Sequence, residues 1–295
     1  MRVAAAARYL NLCHADGEIV PARSYLVLIA CMLVTFVLGS VHAFSVFLVP
    51  LEQSLQLPRS EISLIYACAL VSITVSVLIG YRLYALLASW AITALTCAAA
   101  AVGLYLAAAA DSWWQLFLGY SVLFGLANGV GYGYSLQLAG HELPRVKGLA
   151  MGAVTASYAL GSIFFARVFA WRIDTVAVES ALQALMLAVI VCGIAAAILL
   201  RVAGSRFPGQ PRQVGADGSR GKIIQFWFAY MCSVFAGLMA IGHAAGIVLW
   251  KGLGTEQATQ GAMMIGVGSA AGGFLAGWMI DRWPMKRFLV GLPLL

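Results

Sequence analysis

Charge is what this sequence has least of. Of 295 residues only 10% are Asp, Glu, Lys or Arg, with 11 acids against 18 bases, while 62% are hydrophobic. Soluble domains carry about 25% charged residues, and a soluble chain this apolar would expose contiguous sticky surface. A large soluble helical protein is therefore excluded. The cysteines Cys13, Cys31, Cys68, Cys97, Cys192 and Cys232 are scattered, with no C-x-x-C pair. They offer neither a disulfide framework nor a metal site and read as small packing residues; no cofactor is expected. No G-x-x-x-x-G-K-[ST] run is present, so direct ATP coupling from this chain is not expected. His141-Glu142-Leu143-Pro144-Arg145 has Arg where H-E-x-x-H needs its second His, and reads as a loop. No cluster of nucleophile, His and carboxylate falls at one depth, so the chain is not expected to be an enzyme. No basic face on a soluble domain is visible, which argues against a nucleic-acid partner. The first 23 residues contain Arg2, Arg8 and Arg23 but no apolar core sufficient for a signal peptide, so the first apolar run is expected to stay in the mature protein.

What is present is a series of long apolar runs. A helix rises about 1.5 Å per residue, so about 20 apolar residues cross a bilayer core. Candidate spans are Tyr25–Pro50, Ile62–Arg82, Ala85–Ala110, Trp113–Ala139, Gly148–Ala170, Ala181–Leu200, Ile223–Trp250 and Gly261–Ile280, and a ninth run begins at Phe288. Barrel strands would alternate over about ten residues, whereas these runs are apolar all round. The expected class is an all-α polytopic membrane protein whose first partner is the lipid bilayer.

Basic residues orient the spans. With the N-terminus placed in the cytoplasm, all but four of the 18 Lys and Arg fall on inner segments; the exceptions are Arg59, Arg167, Arg172 and Lys251. This is the positive-inside pattern, and the net charge of +7 reports insertion. Trp113, Trp114, Trp171 and Trp250 sit at outer span ends, and Trp90, Trp227, Trp278 and Trp283 near inner ends, where an apolar ring with a polar N–H is favoured. A bacterial inner membrane is the expected location. The one long connection, 201–222, is rich in Gly, Pro, Gln, Ser and Arg and reads as a flexible cytoplasmic linker. It divides the chain into a six-helix part over 1–200 and a second part over 223–295.

After the eighth run comes Gly277-Trp-Met-Ile-Asp281-Arg282-Trp-Pro284-Met-Lys286-Arg287. This resembles the cytoplasmic loop signature Gly-x-x-x-Asp-Arg-x-Gly-Arg-Lys of the major facilitator superfamily, with Pro284 in the second Gly position. Two further segments, Gly39-Ser-Val-His42-Ala-Phe-Ser-Val-Phe-Leu-Val-Pro50 and Gly125-Leu-Ala-Asn128-Gly129-Val-Gly-Tyr132-Gly133-Tyr134 followed by Pro144-Arg145-Val-Lys147-Gly148-Leu-Ala-Met-Gly152, are similar to the oxalate/formate antiporter and monocarboxylate transporter group. The resemblance implies a twelve-helix carrier built from two repeated six-helix halves. Because the loop signature normally follows the second helix of a half, it also implies a chain short by about three and a half helices. In the family the matching Asp meets the N-terminus of a neighbouring helix and closes the inner face. Gly277, Asp281, Arg282, Lys286 and Arg287 thus read as a gating loop; the plainer reading is that the bases anchor the eighth span.

The sequence departs from the family pattern elsewhere. The loop after the second run reads Gly80-Tyr-Arg82-Leu-Tyr84, with Tyr84 where the carboxylate would stand. The usual Arg of the fourth helix aligns with Ser121, and that of the eighth with Gly273. A membrane-embedded cation would be the natural partner of a carboxylate substrate, and these positions do not supply it.

Polar groups within spans are costly and default to functional candidates. His42 and His243 occupy corresponding depths in the first and seventh runs, which line the central cavity in the family. A His there can bind a proton or hydrogen-bond an anion; a packing role is the alternative. Asn128 and Tyr132 share a helix face one turn apart, and with Gln137 and Tyr158 complete the candidate pathway. Gly125, Gly129 and Gly133, Gly148 and Gly152, Gly268 and Gly272, and Gly273 and Gly277 recur every fourth position and are expected to let helix backbones approach. Val130-Gly131-Tyr132-Gly133 evokes a potassium-channel filter, but Gly129 replaces its Thr and no Asp follows. The expected function is a secondary transporter working by alternating access on a small solute, with an organic anion and protons as the expected partners. The alternative is a transporter-like sensor or assembly protein.

Overall fold

The computed structural model describes residues 12–13, 19–20, 22–84, 86–207 and 220–283. Pro284, Lys286, Arg287, the ninth run and linker positions 208–219 lie outside the described residues. Ahead of the helices, β1 (Leu12–Cys13) pairs antiparallel with β2 (Ile19–Val20). The other regular elements described are helical: α1 (Ala22–Leu55), α2 (Arg59–Tyr84), α3 (Ser89–Ala108), α4 (Trp113–Glu142), α5 (Lys147–Thr175), α6 (Val178–Ala203), α7 (Arg220–Trp250) and α8 (Thr255–Ile280). Among the described residues, seven segments are long and apolar enough to cross a membrane: α1 to α6, and Met263–Ile280 within α8. Helices are the physical solution here, because each satisfies its own backbone where no water is available.

The helix limits follow local chemistry. α1 is α-helical over Ala22–Leu38, tightens to 3-10 geometry over Gly39–Phe47 and resumes α geometry over Leu48–Leu55. Pro50 cannot donate to the Val46 carbonyl and its ring crowds that group, so the chain just ahead departs from α geometry. α1 ends at Gln56 in the left-handed region (φ 54°). Pro58 then presets the entry to α2, its carbonyl accepting from the Glu61 and Ile62 N–H groups. Ser112 caps α4 by accepting from the Gln115 N–H. α4 carries a π-type stretch over Phe117–Phe124. α6 stops at Gly204, whose φ of 64° suits a residue without a Cβ.

α1 to α6 pack into one bundle with a continuous apolar core that includes Val34, Leu38, Phe44, Ile65, Leu104, Phe124, Leu138, Val154, Phe169 and Leu185. The outer faces of α2, α3 and α6 expose aliphatics such as Leu78, Val102, Val191 and Ile198, as helices bathed in lipid do. α8 runs along α5 in the most extensive helix–helix contact of the fold, and α7 packs on α8.

The glycine stripes divide into two kinds. Gly125, Gly129 and Gly133 face α2: a methyl group at Gly129 would strike Ser76 and the Ile73 carbonyl, and one at Gly125 would meet Ser72 and Ala69. Gly148 and Gly152 face α8. Gly268 and Gly272 correct the expectation of packing, because none of the described residues lies within 4 Å of where their side chains would start. The stripe that meets α5 holds the other expected pair, Gly273 and Gly277, joined by Gly266 and Ala270: Gly266 abuts Ile163, Ala270 joins Ala156 and Ala159, and Gly273 abuts Thr155. Two stripes in one helix are indistinguishable by spacing; only the neighbour's position selects one.

Candidate functional site

The 3-10 stretch of α1 presents His42 toward the middle of the bundle. Its Nδ1 lies 3.0 Å from the Tyr66 hydroxyl on α2, and its ring meets Tyr158 of α5 edge-on, centroids 5.4 Å apart. Tyr158 packs on Tyr132 of α4 at 4.7 Å and donates to Asn128 Oδ1 at 2.9 Å. Asn128, fully buried, passes the chain on by donating through Nδ2 to the Leu38 carbonyl at 2.7 Å. That carbonyl stands where α1 leaves α geometry, so a buried amide secures the bend that places His42. The Tyr132 hydroxyl lies 3.5 Å from Thr155 Oγ1, which also donates to the Met151 carbonyl.

His42, Tyr132 and Tyr158 line a cavity of about 320 Å³, together with Leu70, Ile73 and Thr74 of α2, Thr155, Ala159 and Ser162 of α5, Tyr230 and Val234 of α7, and Ile265, Gly266 and Ser269 of α8. Its described lining is a set of hydroxyls and one imidazole between apolar walls, with no Lys, Arg, Asp or Glu among the described residues. It can donate and accept hydrogen bonds to a small polar molecule, and its volume falls within the range of ligand sites.

The expected pathway residues are placed unevenly. His42, Tyr132 and Tyr158 reach the cavity; Asn128 stands behind them as a buried support. Gln137 is half-buried but does not line the cavity: five residues past Tyr132, it is turned about 140° around the helix and about 7.5 Å along it. His243 lies in α7, and its side chain is outside the described residues. Thr155, Ser162, Tyr66, Tyr230 and Ser269 were missed in the sequence. A signal existed for part of this set, because Thr155, Tyr158 and Ser162 follow a three-then-four spacing that marks one polar face in an apolar helix.

At one end of the cavity the α5–α8 seam closes on a carboxylate. Asp281 accepts from the Gly148 N–H through Oδ1 and from the Leu149 N–H through Oδ2, both at 2.7 Å. These donors open α5, where backbone N–H groups lack helical partners and the dipole favours an anion. The approach demands glycine on both helices: a methyl group at Gly277 would land on the Gly148 carbonyl, and one at Gly152 would meet the Gly273 carbonyl at 2.7 Å. Arg282 does not join the clamp; its guanidinium lies 4.3 Å from the ring centroid of Trp278 on its own helix.

A family model described as Major Facilitator Superfamily matches residues 27–295, nearly the whole chain. The chain belongs to the major facilitator superfamily. Among curated proteins it is similar to "Uncharacterized MFS-type transporter YhjX" of Escherichia coli (strain K12), with 24% identity over 273 residues, covering 88% of this chain and 66% of that relative. The chain thus spans just under two thirds of the relative's length. Within this superfamily member, the positions that depart from the pattern have definite structural occupations. Ser121 donates to the Ile65 carbonyl at 2.6 Å, buried between α4 and α2. Tyr84 is buried at 1% exposure, packs on Tyr134 at 5.0 Å and donates to the Val130 carbonyl at 3.4 Å. A residue that turns into its own bundle in this way contacts α4, whereas Asp281 reaches across to a different helix pair.

Proposed function

We propose that this protein is a secondary carrier, rather than an enzyme, that moves a small polar solute by alternating access. The observation that carries the reading is the cavity framed by His42, Tyr132 and Tyr158 on one side and Tyr230 and Ser269 on the other, with a seam at its end held by the exposed Asp281 clamp. Exposed charge pairings are individually worth about a kcal/mol or less, which suits a contact made and broken in each cycle. In this reading residues 1–200 form one six-helix half, 201–222 a cytoplasmic linker and 223–295 part of the second half; the N-terminus is cytoplasmic and the membrane is a bacterial inner membrane. His42, held through Nδ1 by Tyr66, serves as the hydrogen-bonding or proton-accepting group at the solute, and His243 is its counterpart in α7. An organic anion entering with a proton is the proposed cargo, because such a pair is neutral in a cavity whose described lining has no fixed charge.

The test is flux in proteoliposomes, with mono- and dicarboxylates compared with neutral polyols, with and without a pH gradient. Saturable carboxylate uptake that the gradient accelerates supports the reading. His42→Ala is expected to lower that uptake about tenfold. Tyr158→Phe, which strips Asn128 Oδ1 of its donor, is expected to lower uptake about fivefold through the α1 bend. Saturable binding without flux would instead assign a sensor.

A further inference from the structure

The chain carries a second concavity, lined by α3 and α6, neither of which lines the solute cavity. α3 and α6 approach closely at Cys97 and Gly193, where a methyl group on Gly193 would meet Cys97 Cβ at 2.5 Å. Around that crossing, Ala94 and Ala197 leave a groove of about 340 Å³ between the helices. Its walls are almost wholly apolar, and the flanking ridges, such as Leu95 and Ile194, are exposed aliphatics that face lipid. Along α3 the lining runs from Trp90 to Ala98, about 12 Å of helix rise. That is close to the depth of one leaflet of a hydrocarbon core about 30 Å thick.

One end of the groove is different. Arg201 forms its limit, with its guanidinium 5.4 Å from the centroid of the Trp90 ring. No carboxylate of the described residues lies within 4.0 Å of it. A cation–ring contact uses none of the five N–H donors of a guanidinium, whose planar fork matches phosphate oxygens. Arg201 lies in the last turn of α6, which runs back from the end of α5. It is therefore at the same end of the bundle as Gly148 and Asp281, the end where basic residues gather.

We infer that the α3–α6 groove is a binding site for one anionic phospholipid, with an acyl chain against Cys97 and Gly193 and the phosphate on Arg201. The two halves of the site fit the two halves of that molecule: an apolar slot open to the bilayer, and an uncompensated cation where the chain meets the headgroups. Trp90 belongs at that depth because its apolar ring and polar N–H suit the interface. Basic recesses between membrane helices select acidic headgroups in the same way. The site is remote from the solute cavity, and the inference stands whether or not the chain transports.

The test places the chain in nanodiscs of phosphatidylcholine doped with equal phosphatidylglycerol and phosphatidylethanolamine, and counts retained lipids by native mass spectrometry after brief delipidation. The parent chain is expected to retain phosphatidylglycerol about tenfold over phosphatidylethanolamine. Arg201→Gln is expected to abolish that preference, and Arg201→Lys to keep part of it through charge without the fork. Ala94→Leu with Ala197→Leu fills the slot and is expected to remove the retained lipid, with Arg206→Gln, at an exposed position beyond α6, as a control that leaves it in place. Equal retention of the two lipids by the parent chain, or an unchanged preference in Arg201→Gln, overturns the inference.

Discussion

Gly161→Val is expected to break the α1–α5 crossing and to give the largest loss of stability of any single change considered. The two helices meet through their backbones in a reciprocal contact: a methyl group at Gly161 would land on the Phe36 carbonyl, and one at Gly39 on the Tyr158 carbonyl. The same seam carries a hydrogen bond from Ser157 Oγ to the Met32 carbonyl at 2.8 Å, while Thr35 Oγ1, 2.9 Å from its own helix's Cys31 carbonyl, also lies 3.2 Å from the Val154 carbonyl. In lipid, close packing and such bonds hold helices together, since burial of apolar surface against hydrocarbon gains little. A valine side chain must push the backbones apart, which stretches the Ser157 bond and opens voids beside it. Overpacking costs about 1–3 kcal/mol, and loss of the Ser157 bond adds about 1 kcal/mol. Unfolding in detergent, followed by labelling of the buried Cys31 thiol, should occur at markedly lower temperature for Gly161→Val, with Gly161→Ala between it and the parent. A parental profile for the valine variant would show that the crossing contributes nothing.

Asp281→Asn is expected to lower flux about fivefold while leaving the melting profile close to parental. The amide retains one accepting oxygen, so one of the two bonds to the α5 N-terminus survives, but the charge that interacts with the helix dipole is gone. For an exposed carboxylate that interaction is worth about 0.3 to 1 kcal/mol, which is at most about fivefold in an equilibrium constant. The population with the α5–α8 seam closed falls by that factor. Labelling of a cysteine introduced at Leu149 should accelerate in the same proportion, because the seam opens more often. Flux reduced without any change in labelling would separate Asp281 from the seam and sink the gating role.

The contrast between Asp281 and Tyr84 shows what could be read in one dimension. Both follow a glycine by four residues at the end of the second helix after a chain start or linker. The substitution of a phenol for a carboxylate predicted only that one clamp differs from the other. It did not predict that Tyr84 would turn inward to Tyr134, with Phe207 just beyond α6 meeting the Tyr84 ring edge-on at 6.2 Å. The direction of a side chain at a helix end depends on which neighbour offers a pocket, and that is a property of the packed bundle.

His42 and Asn128 separate in the same way. Each is a polar residue inside an apolar span, and cost alone marks both as worth explaining. Packing assigns one to the cavity wall and the other to a support for the Leu38 carbonyl. Gly268 and Gly272 teach the converse: a four-residue repeat of small residues is a capacity for close contact, and α8 presents that capacity on two faces while α5 covers one. The pairs Gly39 with Gly161 and Gly103 with Gly119, where each glycine of the second pair lies against the other's carbonyl, form no stripe within either segment and had no signature to find.

The membrane class and the helical spans were determined by the sequence alone, because each rests on local physics: run length against bilayer thickness, and the energy of a backbone that has no water to bond. The loop at Gly277–Arg287 identified the family for a related reason, since a short motif at a helix end is read without knowing what it touches. Only the tertiary structure decided that the neighbouring helix Asp281 caps is α5, that three aromatic or imidazole rings from α1, α4 and α5 share one cavity, and that Arg201 stands over Trp90 at the mouth of an apolar groove. Each of these joins residues far apart in the chain through the rotation and crossing of helices. Rotation follows from the sum of all contacts along a seam, so no single segment contains it.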